Sequence, residues 1–275
     1  MDGGYCSVQF CLDGTRPLGS VLKVFTPLTT HVASYSAADA FKMLLAVWFA
    51  LLAVFYLFPQ IDQEVSAHFF TTEICAAGAS LREVCGHFSY RQEFTLQILR
   101  TLFLRLPYIA AFVLLWKFVD CYSHFGATFD AERARKLKIA LGSLIVGPIV
   151  LVNFILKDYW GRPRPFSTID FGGALDFVPA GSTAGKCLSN CSFVSGEAAG
   201  AGWLLCLLFI MPRASRRALF LPLATISLLA PALRLAFGAH YLSDVILGWL
   251  SSIVVFAGIL ALTDSPQREK KLKIE

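Results

Sequence analysis

His240 and Asp244 stand four residues apart in RLAFGAHYLSD, Arg234 to Asp244. On a helix that is about one turn. The carboxylate can then accept from one imidazole nitrogen and leave the other free to attack an electrophile. Arg234 adds an oxyanion donor. A second stretch, KDYWGRPRP, holds Lys157, Arg162 and Arg164 on a stiff, proline-bearing loop. Guanidinium groups bind phosphate through two parallel hydrogen bonds, so this loop suits a multiply charged oxyanion. A third stretch, NCSFVSGEAAG, runs from a polar loop into apolar sequence at Asn190 to Gly200. A helix starting at Ser195 would leave the N–H groups of Gly196 and Glu197 free to hold an anion, with the Ser195 hydroxyl as a further donor. Each stretch also has a plainer reading. His240 and Asp244 fit an interfacial histidine beside a capping aspartate. The basic loop fits lipid headgroups. Ser195 fits an ordinary N-cap, and Glu197 a first-turn acid favourable to the helix dipole.

The elements that must position these residues are membrane helices. The chain has 275 residues, 56% hydrophobic and 16% charged, which is too apolar for an ordinary soluble domain. Its apolar residues fall in runs of about 16–22, the length that spans a bilayer core as a helix. Six spans are expected, at about 43–59, 98–118, 139–156, 195–211, 218–237 and 242–262. The second is interrupted by Arg100, Arg105 and Pro107, and the fifth ends in Arg234. The predicted fold is therefore all-α, a polytopic six-helix bundle over 41–263. An N-terminal cytoplasmic or interfacial segment, 1–40, precedes it and a basic tail, 264–275, follows. The first 40 residues lack a basic region leading into an apolar core, so no cleavable signal is expected.

Loop charges set the expected orientation. Arg133, Arg135, Lys136 and Lys138 follow the second span, Arg213, Arg216 and Arg217 follow the fourth, and Arg268, Lys270, Lys271 and Lys273 lie in the tail. With six spans all three groups share one side, expected to be cytoplasmic, along with both termini. Loops 60–97 and 157–194 and the turn near 238–241 then face outward, and so do all three polar stretches. A net charge of +5 distributed this way calls for no nucleic-acid partner. Cys75 and Cys85 share the first outer loop, and Cys187 and Cys191 the second, where an oxidising compartment favours two disulfides. Cys6, Cys11, Cys121 and Cys206 need no pairing. Arg100 and Arg105 either help hold a second phosphate or headgroup, or snorkel to the interface. Nothing in the sequence looks like a metal cage, and no metal or cofactor is expected.

The three stretches together resemble the type-2 phosphatidic acid phosphatase superfamily, whose pattern is K-x6-RP, then PSGH, then SR-x5-H-x3-D. Lys157, Arg164 and Pro165 match the first motif, Ser195 and Gly196 the second, and Arg234, His240 and Asp244 the third, in the same order. Three positions depart: Val194 replaces a proline, Leu233 a serine, and Glu197 the histidine that serves the family as general acid. The resemblance implies a metal-independent lipid phosphatase. His240 would attack phosphorus, with Asp244 fixing its tautomer. Lys157, Arg164, Arg234, Ser195 and Gly196, with Arg162 nearby, would hold the phosphate. Glu197 would be either a replacement acid or an organiser of Lys157, Arg162 or a substrate group. NCSFVSGEA, GRPRP and the FGG at Phe171 to Gly173 further resemble the lipid A 4′-phosphatase branch of the family. That implies a membrane lipid substrate and a bacterial inner membrane, with the site facing the periplasm. Alternative substrates are the lipid A 1-phosphate, undecaprenyl pyrophosphate, phosphatidylglycerophosphate and phosphatidate. Alternative activities are phosphotransfer, or phospholipid binding or transport without catalysis.

Overall fold

The computed structural model describes residues 36–76, 84–123 and 129–263, apart from the side chain of Asp158. Most of the 1–40 segment, Cys6, Cys11 and the basic tail lie outside the described residues. Helix α1, Ala37–Leu57, opens with a reciprocal cap: the Ser36 hydroxyl accepts from the Asp39 N–H at 3.1 Å and donates to the Asp39 carboxylate at 2.8 Å. It therefore begins a few residues before the expected boundary at 41. A short helix, α2 (Gln60–His68), and a two-stranded hairpin, β1 (Phe70–Thr72) with β2 (Gly86–Phe88), follow in the loop after α1. Phe70 meets Phe171 edge-on and Phe88 meets it at a tilt, and Cys75 is bonded to Cys85. The hairpin is thus pinned at both ends.

Helix α3, Phe94–Ser123, is longer than expected at both ends, and Pro107 lies inside it without ending it. Pro107 instead packs against Gly200. Helix α4, Ala131–Leu144, continues without a break as a π-helix, Ile145–Leu156. The expected third span began at 139 because the first turns are basic and amphipathic. There Glu132 pairs with Arg135 at 3.1 Å and Lys136 at 3.6 Å. Pro148 supplies no N–H to the helix ladder, and its carbonyl accepts from the Asn153 side chain at 2.7 Å. Helices α5 (Gly196–Ile210), α6 (Arg213–Ala236) and α7 (Leu242–Thr263) complete the long elements, and single helical turns lie at Ser89–Gln92, Lys157–Tyr159, Pro165–Ser167 and Ile169–Phe171. Arg216 caps the end of α5 by donating to the Phe209 and Met211 carbonyls.

Five of these helices, α1, α3, α4 with its π continuation, α6 and α7, are long and apolar enough to cross a membrane; α5 is a shorter apolar helix. The six expected spans thus correspond to helices in the expected order. Helix α5 is the hub. Its face from Ala198 to Leu204 is buried throughout, and small residues let its neighbours close in. A Cβ at Gly202 would lie 2.5 Å from the Trp249 carbonyl of α7. Helix α3 is the opposite case: only Cys121 is buried, and Leu102, Phe112 and Trp116 are exposed as lipid-facing side chains would be.

Candidate active site

Three chain segments meet where the π-helix ends and where α5 and α7 begin. The turn before α7 presents His240. Gly238 takes a positive φ of 59° there, and a side chain at that position would also strike the Phe88 ring. The N–H groups of Ala239 and His240 close back onto the Arg234 carbonyl at 3.1 and 3.3 Å. Asp244 caps the new helix by accepting from the Tyr241 N–H at 3.0 Å. His240 and Asp244 are both buried, with Nδ1 of the imidazole 3.9 Å from Asp244 Oδ2. That is too long for a hydrogen bond.

The tautomer is set elsewhere than expected. His240 Nδ1 lies 2.8 Å from the Ser192 carbonyl, which can only accept, so Nδ1 carries the proton. Nε2 is then unprotonated, and it has no hydrogen-bond partner among the described residues. Asp244 reaches the ring's partner instead: the Ser192 hydroxyl donates to Oδ2 at 2.5 Å. Ser192 escaped the sequence reading because a carbonyl has no sequence signature. Burial, then the charges of Arg234, Arg164 and Lys157, hold the imidazole well below its ordinary value of 6.5, against the Ser192 carbonyl, which favours the protonated ring.

Arg162 departs from its expected role. It is fully buried, and its guanidinium donates to the Val178 carbonyl at 2.7 Å, Ser243 Oγ at 2.7 Å, Asp244 Oδ1 at 2.6 Å and Asp62 Oδ2 at 2.8 Å. The two aspartates outweigh the burial that would otherwise lower its pKa, which is raised. So occupied, it is a prop for Asp244 rather than a phosphate ligand. Asp62 is the second residue missed; an acid just beyond an apolar span was the available signal.

Ser195 takes the plainer of its two readings. It is fully buried, its hydroxyl accepts from the Ala198 N–H at 3.3 Å as an N-cap, and its own N–H donates to the Asp244 carbonyl at 2.9 Å. The first N–H groups of α5, at Gly196 and Glu197, lack intrahelical acceptors. Gly196 lies so close to Asn153 that a Cβ would sit 2.6 Å from its side-chain oxygen. A Cβ at Gly248 of α7 would be 2.6 Å from the Ser195 carbonyl oxygen.

Glu197 is clamped between two arginines. Arg100 of α3 donates Nη2 to Oε1 at 2.6 Å and Nε to Oε2 at 3.2 Å, a forked pair. Arg234 Nε lies 3.4 Å from Oε1 and is buried without an aligned hydrogen bond. Arg100 thus turns inward to Glu197 rather than outward to the interface. Arg162, one of the cations expected beside Glu197, is engaged by Asp62 and Asp244 instead. Lys157, Asn153 and Glu197 line a cleft of about 340 Å³ whose other wall is apolar, including Phe103, Leu104 and Tyr108 of α3.

Arg164 is held by Asn190, donating Nε to the backbone carbonyl at 2.9 Å and Nη2 to the side-chain oxygen at 2.6 Å. Burial lowers its pKa. Asn190 has a positive φ of 50° and sits inside the loop closed by the Cys187–Cys191 disulfide. The loop, not a carboxylate, therefore aims Arg164. Replacing both cysteines by serine is expected to raise KM about 5- to 30-fold with a smaller change in kcat, because Arg164 must then be ordered on binding. Steady-state kinetics of the double variant checks this. Both expected disulfides are present, and Cys121 and Cys206 are free and buried. Among the described residues no three of His, Cys, Asp and Glu converge as a metal shell.

A family model described as the PAP2 superfamily, the type-2 phosphatidic acid phosphatases, matches residues 136–267. A curated Rhizobium etli protein named Lipid A 4′-phosphatase is 60% identical over 235 residues, covering 86% of this chain and 91% of that one. The chain belongs to the PAP2 superfamily. A Rhizobium leguminosarum PAP2 relative of the same name is also 60% identical, over 84% of this chain and 100% of its own. A third, from Francisella tularensis subsp. novicida, is 27% identical over 78% of this chain and 92% of its own, under the same name. The crystal structure of a transmembrane PAP2-type phosphatidylglycerolphosphate phosphatase from Bacillus subtilis aligns with a TM-score of 0.48 at 14% identity, over 86% of this chain and 97% of that one.

Proposed function

We propose that this chain is a lipid A 4′-phosphatase of a bacterial inner membrane, working through a phosphohistidine with its site facing the periplasm. The observation that carries the chemistry is the imidazole: Nδ1 is tied to the Ser192 carbonyl, and Nε2 is left unprotonated and unpartnered among three cations. The 60% identity to two proteins named Lipid A 4′-phosphatase supports the substrate. The cationic first turns of α4 and α6 lie at the helix ends remote from His240, which supports the orientation and cytoplasmic termini.

The phosphate sits against Lys157, Arg164, Arg234 and the N–H groups that open α5. His240 Nε2 attacks phosphorus in line with the departing alcohol oxygen, and water then cleaves the phosphohistidine. Both oxygens of Glu197 are engaged by guanidinium groups, so an acid role requires breaking that clamp; Glu197 serves as an organiser and the leaving alkoxide takes its proton from water. The apolar cleft beside Lys157 and Glu197 gives the lipid portion a side entrance from the bilayer. The test is mass spectrometry of lipid A treated with purified enzyme in detergent, with chelator present. Loss of one phosphate from the 4′ position is expected. Loss of the 1-phosphate, or activity only on another phospholipid, refutes the assignment.

A further inference from the structure

Asp62 lies in the first turn of α2, fully buried beside Arg162, Ser243 and Asp244. Its Oδ2 accepts from Arg162 Nη2 at 2.8 Å and from the Ser243 hydroxyl at 2.5 Å, and its Oδ1 from the Ser243 N–H at 2.8 Å. Arg162 also holds Asp244 Oδ1, and its guanidinium stacks 4.3 Å from the centre of the Tyr241 ring. Two buried carboxylates therefore share one guanidinium, in formal charge one minus more than the arginine neutralises. Burying an uncompensated charge is expensive, and shape alone does not require it, since asparagine has the same size as aspartate.

The surplus has a use during the reaction. The Nε2 lone pair of His240 forms the N–P bond as the bond from phosphorus to the alcohol oxygen breaks. Nδ1 keeps its proton, so the ring becomes a phosphorylated imidazolium with one positive charge. The alkoxide takes a proton from water. In the second half a water oxygen bonds to phosphorus, the N–P pair returns to Nε2, and the spare water proton leaves to solvent. Between these steps a buried cation exists where none was before. The groups facing it are Arg234 from α6, Lys157 and Arg164 from the segment after the π-helix, and Asp244 from α7, with Arg162 and Asp62 behind Asp244. Glu197 of α5 faces Arg234 and Arg100. Three cations oppose the imidazolium directly, and Asp244 would be neutralised by Arg162 if Arg162 had no second partner.

We propose that Asp62 is a positioning residue for this reaction: by occupying Arg162, it leaves the Asp244 charge available to the imidazolium that forms on His240. The inference rests on the phosphohistidine chemistry proposed above. Asp62→Asn removes the charge but keeps an acceptor for the Ser243 N–H. In the purified full chain in detergent, kcat is expected to fall about 10- to 100-fold with KM within about twofold of wild type. The double variant Asp62→Asn with Arg162→Gln removes both charges and restores a single net negative charge at Asp244. It is expected to regain at least about fivefold in kcat over Asp62→Asn alone. A purely structural role predicts the reverse, with the double variant slower than either single. That order, or wild-type kcat in Asp62→Asn, overturns the proposal.

If the double variant does not fold, the pH profile of Asp62→Asn decides. Losing a negative charge disfavours protonated His240, so the acid limb of kcat/KM should move to lower pH while the plateau drops. An unmoved limb overturns the proposal. Wild-type protein that forms no acid-labile phosphoenzyme refutes the phosphohistidine reading itself, a separate failure visible before any Asp62 variant is made.

Discussion

Replacing His240 with alanine is expected to reduce phosphate release by about 10⁴-fold or more, and to eliminate the acid-labile phosphoenzyme, with substrate still bound. The cations and the α5 N–H groups that hold phosphate are untouched, so KM should change little while kcat collapses. The wild-type pH profile carries a second signature of the same residue. Burial first, then Arg234, Arg164 and Lys157, depress the imidazole pKa below 6.5. A depressed pKa keeps the attacking, neutral form populated as pH falls, so the acid limb of kcat/KM should lie below pH 6.5. Arg234→Gln removes a cation and should move that limb upward. Single-turnover rates with wild-type and variant enzyme read both effects. Phosphoenzyme formation in His240→Ala would remove His240 as the nucleophile.

Glu197→Gln is expected to lower kcat/KM about 10- to 100-fold, because Arg100 and Arg234 lose the carboxylate that holds them. The effect stays below that of His240→Ala because Arg100 and Glu197 are only partly buried, which moderates the cost. An organiser and a general acid predict different patterns. As organiser, Glu197→Gln and Glu197→His should be similarly impaired, Arg100→Gln should reproduce the loss, and Arg100→Gln with Glu197→Gln should be no worse than either alone. As acid, Glu197→His should retain activity that Glu197→Gln loses, and Arg100→Gln should be nearly silent. A double-mutant cycle on kcat/KM separates these outcomes.

The helices were legible because each apolar run is long and interrupted by few charges. Even α3, with Arg100, Arg105 and Pro107, follows the expected course. The π-helix was not legible, since nothing in IVGPIVLVNFIL distinguishes a π from an α ladder apart from one proline. In the site, the short-range geometry was readable: His240 and Asp244 four residues apart, Lys157 leading to Arg164, and a small residue opening α5. Partnerships across the chain were not. Glu197 finds Arg100 at a separation of 97 residues, and Arg162 finds Asp62 at 100. Charge type showed that Arg162 needed an anion; only the fold shows that this anion is carboxylate rather than phosphate. The reading of Asp244 as a direct partner of His240 failed for a similar reason. Four residues on a helix bring two side chains near, but the turn at Gly238 to Tyr241 rotates the imidazole toward a backbone carbonyl instead.

The tight contact between α7 and the start of α5 constrains how this enzyme can diversify. Ser195 bonds through its N–H to the Asp244 carbonyl, and Gly248 leaves no room for a methyl group beside Ser195. The proposed nucleophile and the proposed anion cradle therefore share one stiff backbone joint, and a displacement of either carries the other with it. Adaptation to a different lipid, by evolution or by engineering, is cheaper on the opposite wall. There α3 faces bilayer along most of its length and meets the chemistry through Arg100. Substitutions at Phe103, Leu104 or Tyr108 can reshape the lipid-facing wall while the reacting atoms keep their register. Under the proposed mechanism the protein thus divides into a stiff reaction frame, built on α5 and α7, and a lipid-facing wall on α3 that is looser about its side chains.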